Sequence, residues 1–320
     1  MTIMITQARK LWDRLAHAKI HVPLLSAHEQ TRLSWARLAR SYDDLPDIFR
    51  GPLATLAGNS GSFPYTVLTP SFQGFLRRPS EKLICASGDE ICVMEKVQNR
   101  VASTRYPVRE ISTIETGSIL LKAWITIKGL DSAGALNTSS LQFNAVTESL
   151  FTPIVNKVRP MPDTSTGVDH SAEMAKFNRL APLNFKFMNY ARRTIIPGEK
   201  VIHFVLQPEV RIGAPRFLGR TWWGTIHPAH LTILTDKELI LIRDEAGVRW
   251  NPDAKHGGIW TYIPLNRIAM TSVARTDDGM LAVSIHLPGD DRVDSLFSAS
   301  QEQQVTLLLS HVDSLIGRKH

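Results

Sequence analysis

The chain has 320 residues, 43% of them hydrophobic, with a formal net charge of +7. That length accommodates two ordinary domains and an extension, each with its own core, and the composition excludes a chain without folded structure. The positive excess is modest and its basic residues are spread out, so ordinary solubility charge accounts for it and a dedicated nucleic-acid binder is not expected.

The first twenty residues carry Arg9, Lys10, Asp13, Arg14 and Lys19 among the apolar ones, so they contain no uninterrupted signal-peptide core. No later stretch approaches the ~20 apolar residues of a spanning helix. The expected location is the cytoplasm. Residues 6–58 read as helical: Leu11, Leu15 and Ala18 form one stripe, and Ser26 with Glu29 makes a capping-box pattern ahead of Leu33, Trp35, Leu38 and Ala39. A third helix is expected over 44–57, interrupted by Gly51-Pro52. With the Gly58 to Ser62 loop, this predicts a helical N-terminal extension over residues 1–62.

The stretch from Leu83 to Lys96, LICASGDEICVMEK, returns as LTILTDKELILIRD from Leu231 to Asp244. In each, two apolar runs flank a polar tight turn, which reads as a β-hairpin. The repetition continues, because Pro107 and Ile111 are answered by Pro264 and Ile268. Leu121, Ala123, Ile125 and Ile127 alternate before Gly129 as Leu281, Val283, Ile285 and Leu287 do before Gly289, the pattern of a half-buried strand. Phe143 to Val158 and Phe297 to Val312 then align without a gap as closing helices. Both faces of the first hairpin are apolar. A sheet with one solvated face would alternate, so a helix or the other repeat must cover its outer side. A two-residue turn at Gly88-Asp89 sets Cys85 opposite Cys92, and Ile233 and Ile240 at the matching positions mark these as packing sites for free thiols.

Between the repeats, Arg159 to Gly167 is rich in Pro and small polar residues and reads as a linker. A helical bridge follows from Ser171 to Ile196, broken at Pro182. The resulting division is 63–158 for the first repeat, 159–198 for linker and bridge, and 199–320 for the second repeat. The second opens on a strand from Val201 to Leu206 and holds an insertion from Arg243 to Trp260.

Antiparallel hairpins followed by one terminal helix, occurring twice, resemble the pleckstrin-homology (PH) superfold, specifically the PH-like domains of bacterial proteins. The resemblance covers about two thirds of the chain and implies an α+β fold. Two β-sandwich or barrel domains would each be closed by a C-terminal helix, and they would act as binding or scaffolding modules. Phosphoinositide recognition in that family comes largely from a longer basic loop between the first two strands. If the hairpin described above is that first pair, both repeats depart from it with tight turns.

No motif indicates a cofactor. His227 and His230, with Asp253 and His256, form no recognised metal-ligand spacing, and Pro228 separates the two histidines. Asp169, His170 and Glu173 match a helix start. The candidate binding surface is aromatic and basic: Arg216, Phe217, Arg220, Trp222 and Trp223 before the second hairpin, echoed by Arg77 and Arg78 before the first. Such residues either pack against the sheet or, if exposed, suit a protein hot spot or a membrane interface. Trp124, with Lys122 and Lys128 on its face of a strand, is expected at an inter-domain or partner contact. The expected function is non-catalytic binding of a protein or peptide. The alternatives are peripheral attachment to anionic membrane and, third, an unrecognised hydrolase.

Overall fold

In a computed structural model, described for residues 34–58, 62–71, 80–162, 167–212, 216–217, 220–221, 225–244 and 257–317, the chain is an α+β protein of antiparallel sheets with few helices. Its described strands close into no barrel. The first sheet is built from β1 (Arg37–Ala39), β2 (Tyr65–Thr69), β3 (Lys82–Ser87), β4 (Glu90–Val97) and β5 (Arg100–Pro107), in that order, with α1 (Asp47–Ala57) between β1 and β2. The helix expected through Trp35, Leu38 and Ala39 is therefore corrected: Arg37–Ala39 is a strand paired with β2, Arg37 opposite Leu68. The open edge of β2 offers those backbone groups partners, and tertiary pairing outweighs the helical spacing. Of the predicted extension, residues 1–33 and 59–61 lie outside the described residues.

Next come β6 (Ile111–Ile119), β7 (Lys122–Leu130) and β8 (Leu136–Asn144). Ala123, Ile125 and Ile127 are buried as the alternation predicts, but Leu121 is exposed, since it lies in the turn before the strand begins. The closing helix starts later than expected. Phe143 and Asn144 end β8, the Asn144 side chain caps a 3-10 segment over Ala145–Phe151, and α2 covers Thr152–Val158. Pro153 sits in the first turn of α2, where its missing N–H costs nothing. The bridge is α3 (His170–Ala175), a 3-10 turn over Lys176–Leu180 and α4 (Phe185–Thr194), which begins beyond Pro182 with Asn184 as its cap.

The second repeat contains β9 (Val201–Gln207), the short strands β10 (Val210–Ile212), β11 (Arg216–Phe217), β12 (Arg220–Thr221) and β13 (Thr225–His227), then β14 (His230–Thr235), β15 (Glu238–Arg243), β16 (Gly258–Pro264), β17 (Met270–Arg275), β18 (Leu281–Leu287), β19 (Asp291–Phe297) and α5 (Glu302–Gly317). Phe297 likewise ends a strand, and its helix starts at Glu302. Register matches at the repeated positions of the two hairpins: Cys85 faces Cys92 as Ile233 faces Ile240, and Glu90 faces Pro107 as Glu238 faces Pro264. Backbone angles repeat too, with ψ 130° at Pro107 and 134° at Pro264. The turns are held differently. Gly88 takes a positive φ of 50°, a conformation glycine adopts without strain, whereas the Thr235 hydroxyl accepts from the N–H groups of Lys237 and Glu238.

The two repeats share a sheet. β6 pairs with β16, Ile114 opposite Tyr262 and Ser118 opposite Gly258, so the seven-stranded order is β8-β7-β6-β16-β15-β14-β9, while β17-β18-β19 stand apart. Helices cover the outer faces of both hairpins. Leu83, Cys85, Cys92 and Met94 pack with Leu45 and with Phe49 and Leu53 of α1. Leu231, Ile233, Ile240 and Ile242 pack in one core with Phe187, Met188 and Ala191 of α4, and that core also holds Ile84, Ile91 and Val93 from the inner face of the first hairpin. A further core lies between α5 and the inner face of the second repeat, with Leu234, Leu239, Phe297 and Val312 among its members.

Candidate functional site

The seam between the repeats gathers the chemistry of the described residues. At its centre is Arg159, the first residue after α2, only 7% exposed. Its Nε donates to Glu238 at 2.9 Å and a terminal nitrogen donates to the Thr194 carbonyl at 2.9 Å. Its guanidinium lies 4.2 Å from the centre of the Tyr262 ring, and Glu199 approaches it at 3.7 Å. One residue thus ties the end of α2, the end of α4 and the second repeat together. Arg159, the first residue of the stretch expected as a linker, is thus buried and tied at three points; residues 163–166 of that stretch lie outside the described residues.

Two carboxylates and one guanidinium are buried here. Glu199 and Glu238 are both wholly buried. Burial, then the neighbouring charge of Glu238, pushes the Glu199 carboxyl up to about 8, against the pull of Arg159 and the 2.8 Å hydrogen bond from the Ile196 N–H. Burial works against the charge of Arg159, but Glu238 outweighs it and the guanidinium pKa moves upward. Two acids thus share one guanidinium, and Glu199, the more distant of the two from Arg159, holds its proton more tightly than an exposed carboxyl does.

Beside the cluster lies a cavity of about 390 Å³. Phe143, Phe151, Ile195, Tyr262 and Arg159 line its buried part, while Glu148, Asn156 and Arg193 stand exposed at its rim. Phe143 and Phe151 stack with ring centres 3.9 Å apart, giving the cavity a flat aromatic wall.

Of the predicted binding surface, the structure brings Trp124 and Lys122 to the seam. The Trp124 ring covers Gly117, where an added Cβ would fall 2.1 Å from it. Its indole N–H donates to Glu115 at 3.1 Å, and Lys122 lies 5.5 Å from the ring centre. Glu115 also takes Arg243 of the second repeat at 2.6 Å, so Trp124 is half-buried at an inter-repeat contact. Lys128 is separate from this group and pairs with Asp291 across the repeats. Arg216 and Phe217 pair through the backbone with Thr221 and Arg220 in a tight hairpin. Arg77, Arg78, Trp222 and Trp223, and the side chains of Arg216, Phe217 and Arg220, lie outside the described residues. His230 is buried edge-on against Phe297, and burial lowers its pKa to about 4. Asp169 caps α3, and Glu173 accepts from Lys176 and from the Val201 N–H. Among the described residues no cluster of His, Cys, Asp and Glu is placed to hold a metal ion, and no helix is long and apolar enough to cross a membrane.

Sequence reasoning missed Arg159, Arg193, Glu199, Glu238 and Tyr262. Nothing local marks them: Glu238 occupies the repeat position of Glu90, which sits partly exposed beside Arg105. In comparisons with known proteins, no family model matches the chain and no curated protein matches it.

Proposed function

We propose that the chain is a non-catalytic, cytoplasmic binding or scaffolding protein built on two PH-like modules, and that it takes a protein or peptide segment into the cavity at their seam. The repeated order of antiparallel strands ending in a helix supports the modules. The observation that carries the binding reading is the cavity itself. Its size falls within the roughly 300–1,000 Å³ of ligand pockets, its wall is aromatic, and its rim offers an exposed carboxylate, amide and guanidinium in Glu148, Asn156 and Arg193. An apolar side chain would fill the floor while the rim hydrogen-bonds the flanking backbone. The buried carboxylates are committed to Arg159, which favours a structural role for them over proton transfer to a bound molecule. Lys128 and Arg243 are likewise held by Asp291 and Glu115, so these two side chains add little attraction for acidic lipid.

The test uses peptides selected on the full chain from a random display library. Asn156→Trp, at an exposed position of α2, would plug the mouth and should weaken the selected peptides at least tenfold. Equal binding to the variant would overturn the cavity as the site. Salt-sensitive flotation with acidic vesicles, in the absence of selectable peptides, would replace this reading with membrane attachment.

A further inference from the structure

The seam joins two particular edges: β6, which opens the last three strands of the first repeat, and β16, the fourth long strand of the second. Because the elements occur twice, the chain carries each edge a second time. β17 corresponds to β6, since each follows a matched 3-10 turn, Val108–Glu110 after Pro107 in one repeat and Leu265–Arg267 after Pro264 in the other. β5 corresponds to β16, since Cys92 faces Arg105 as Ile240 faces Tyr262. Among the described residues, these second edges pair on one side only: β5 ends the five-stranded sheet and β17 ends the three-stranded one.

We propose that β5 of one molecule pairs with β17 of a second copy of this chain, antiparallel and in the register that β16 and β6 use within the chain. Transferring that register sets Val101 opposite Arg275, Ala102 opposite Ala274, Ser103 opposite Val273 and Thr104 opposite Ser272. The next pair, Arg105 with Thr271, does not form. The Arg105 carbonyl already accepts from the Ser132 N–H at 2.9 Å, so the loop between β7 and β8 stops the new ladder one residue short of the internal one.

The side chains fit the pairing. Ala102, Ser103, Val273 and Ala274 are exposed, and Val273 is 51% so. Small and β-branched residues oppose one another, and the flanking charges are occupied at home, Arg105 by Glu90 and Arg275 by Glu302, each at 2.6 Å. Exposed edges are ordinarily blunted by Lys, Pro or inward charge, and neither four-residue run carries Lys or Pro. Two different edges make the contact heterologous, so repetition builds a ring if the rotation closes and an open filament if it does not. β-Strand addition of this kind draws its affinity from main-chain hydrogen bonds and its register from facing side chains.

Sedimentation velocity and light scattering on the full chain over rising concentration test the proposal. The wild type should grow in multiples of 35.8 kDa. Ala102→Glu with Ala274→Glu places like charges opposite each other at every contact and should weaken assembly at least tenfold. Ala102→Glu with Ala274→Lys restores attraction and should assemble as the wild type does. Both positions are exposed, so thermal melts of the variants should match the parent. A wild type that stays at one chain mass to its solubility limit would overturn the proposal, as would assembly of the Glu/Glu variant or failure of the Glu/Lys variant to assemble.

Discussion

Replacing Arg159 by Met tests the seam most directly. Met keeps most of the buried stem volume, so the change chiefly removes the charge and its donors. What is lost is the 2.9 Å bond to Glu238, the 2.9 Å bond to the Thr194 carbonyl and the guanidinium over Tyr262. Glu238 and Glu199, both fully buried, are left without a cation. Removing one partner of a buried ion pair typically costs about 3–5 kcal/mol, and the fully enclosed carboxylates place this site toward the upper end. Urea unfolding followed by tryptophan fluorescence at pH 7.5 should show a loss of that size. Protonation can relieve the stranded carboxylates, so the deficit should shrink as pH falls toward 5. Adding Glu238→Gln should recover much of it, because an amide needs no counter-charge. A loss under about 1 kcal/mol, unchanged between pH 5 and 8, would refute the reasoning: the cluster would then be solvated and the seam would not depend on it.

Glu199 makes stability pH-dependent in the opposite sense to an ordinary salt-bridged carboxylate. Its folded pKa of about 8 lies above its usual 4.5, so between those values the native chain binds more protons than the unfolded chain and stability falls as pH rises, by up to about 1.36 kcal/mol per unit. Glu199→Gln should flatten the slope between pH 6.5 and 8, a window above the range in which the buried His230 acts; an unchanged slope would assign it to another group. Cys85 and Cys92 are buried free thiols, and the Cys85 thiol is pushed up by its hydrogen bond to Cys92 and by burial. Thiol reagents should therefore label the pair only at the rate of unfolding, whereas rapid labelling of both in the native chain would show that α1 does not seal that face.

The hairpins were legible because their information is local. Apolar runs around a polar turn, recurring at matched positions, specify both strands and their register. The two apolar faces of Leu83 to Met94 also demanded a cover, and Phe49 and Leu53 of α1 supply it. The β1 strand is not legible in the sequence, because three residues carry little periodicity and the edge of β2 decides their conformation. The seam left no local trace, since Ile114 and Tyr262 are distant in sequence and either strand alone reads as an ordinary sheet member. Glu90 and Glu238 show the limit most sharply. They share a repeat position, yet one meets Arg105 near solvent and the other meets Arg159 in the core. Only the fold says which arginine arrives.

The covering helices change how the repeat unit itself is drawn. α1 precedes β2 and packs on the outer face of β3 and β4; α4 precedes β9 and packs on the outer face of β14 and β15. The bridge thus covers the second hairpin as α1 covers the first. The two covers differ in what lies beyond them. α1 closes a core confined to the first sheet, where Ala39 of β1 and Leu68 of β2 join the hairpin residues. α4 closes a core that runs on through β6 and β7 to the inner face of the first hairpin, because the β6 to β16 ladder joins the repeats in one sheet. Arg159 stands where that continuity would otherwise bury unpaired acids from the second repeat. Arg159, placed directly after α2 of the first repeat, supplies the guanidinium that pairs with Glu238 of the second.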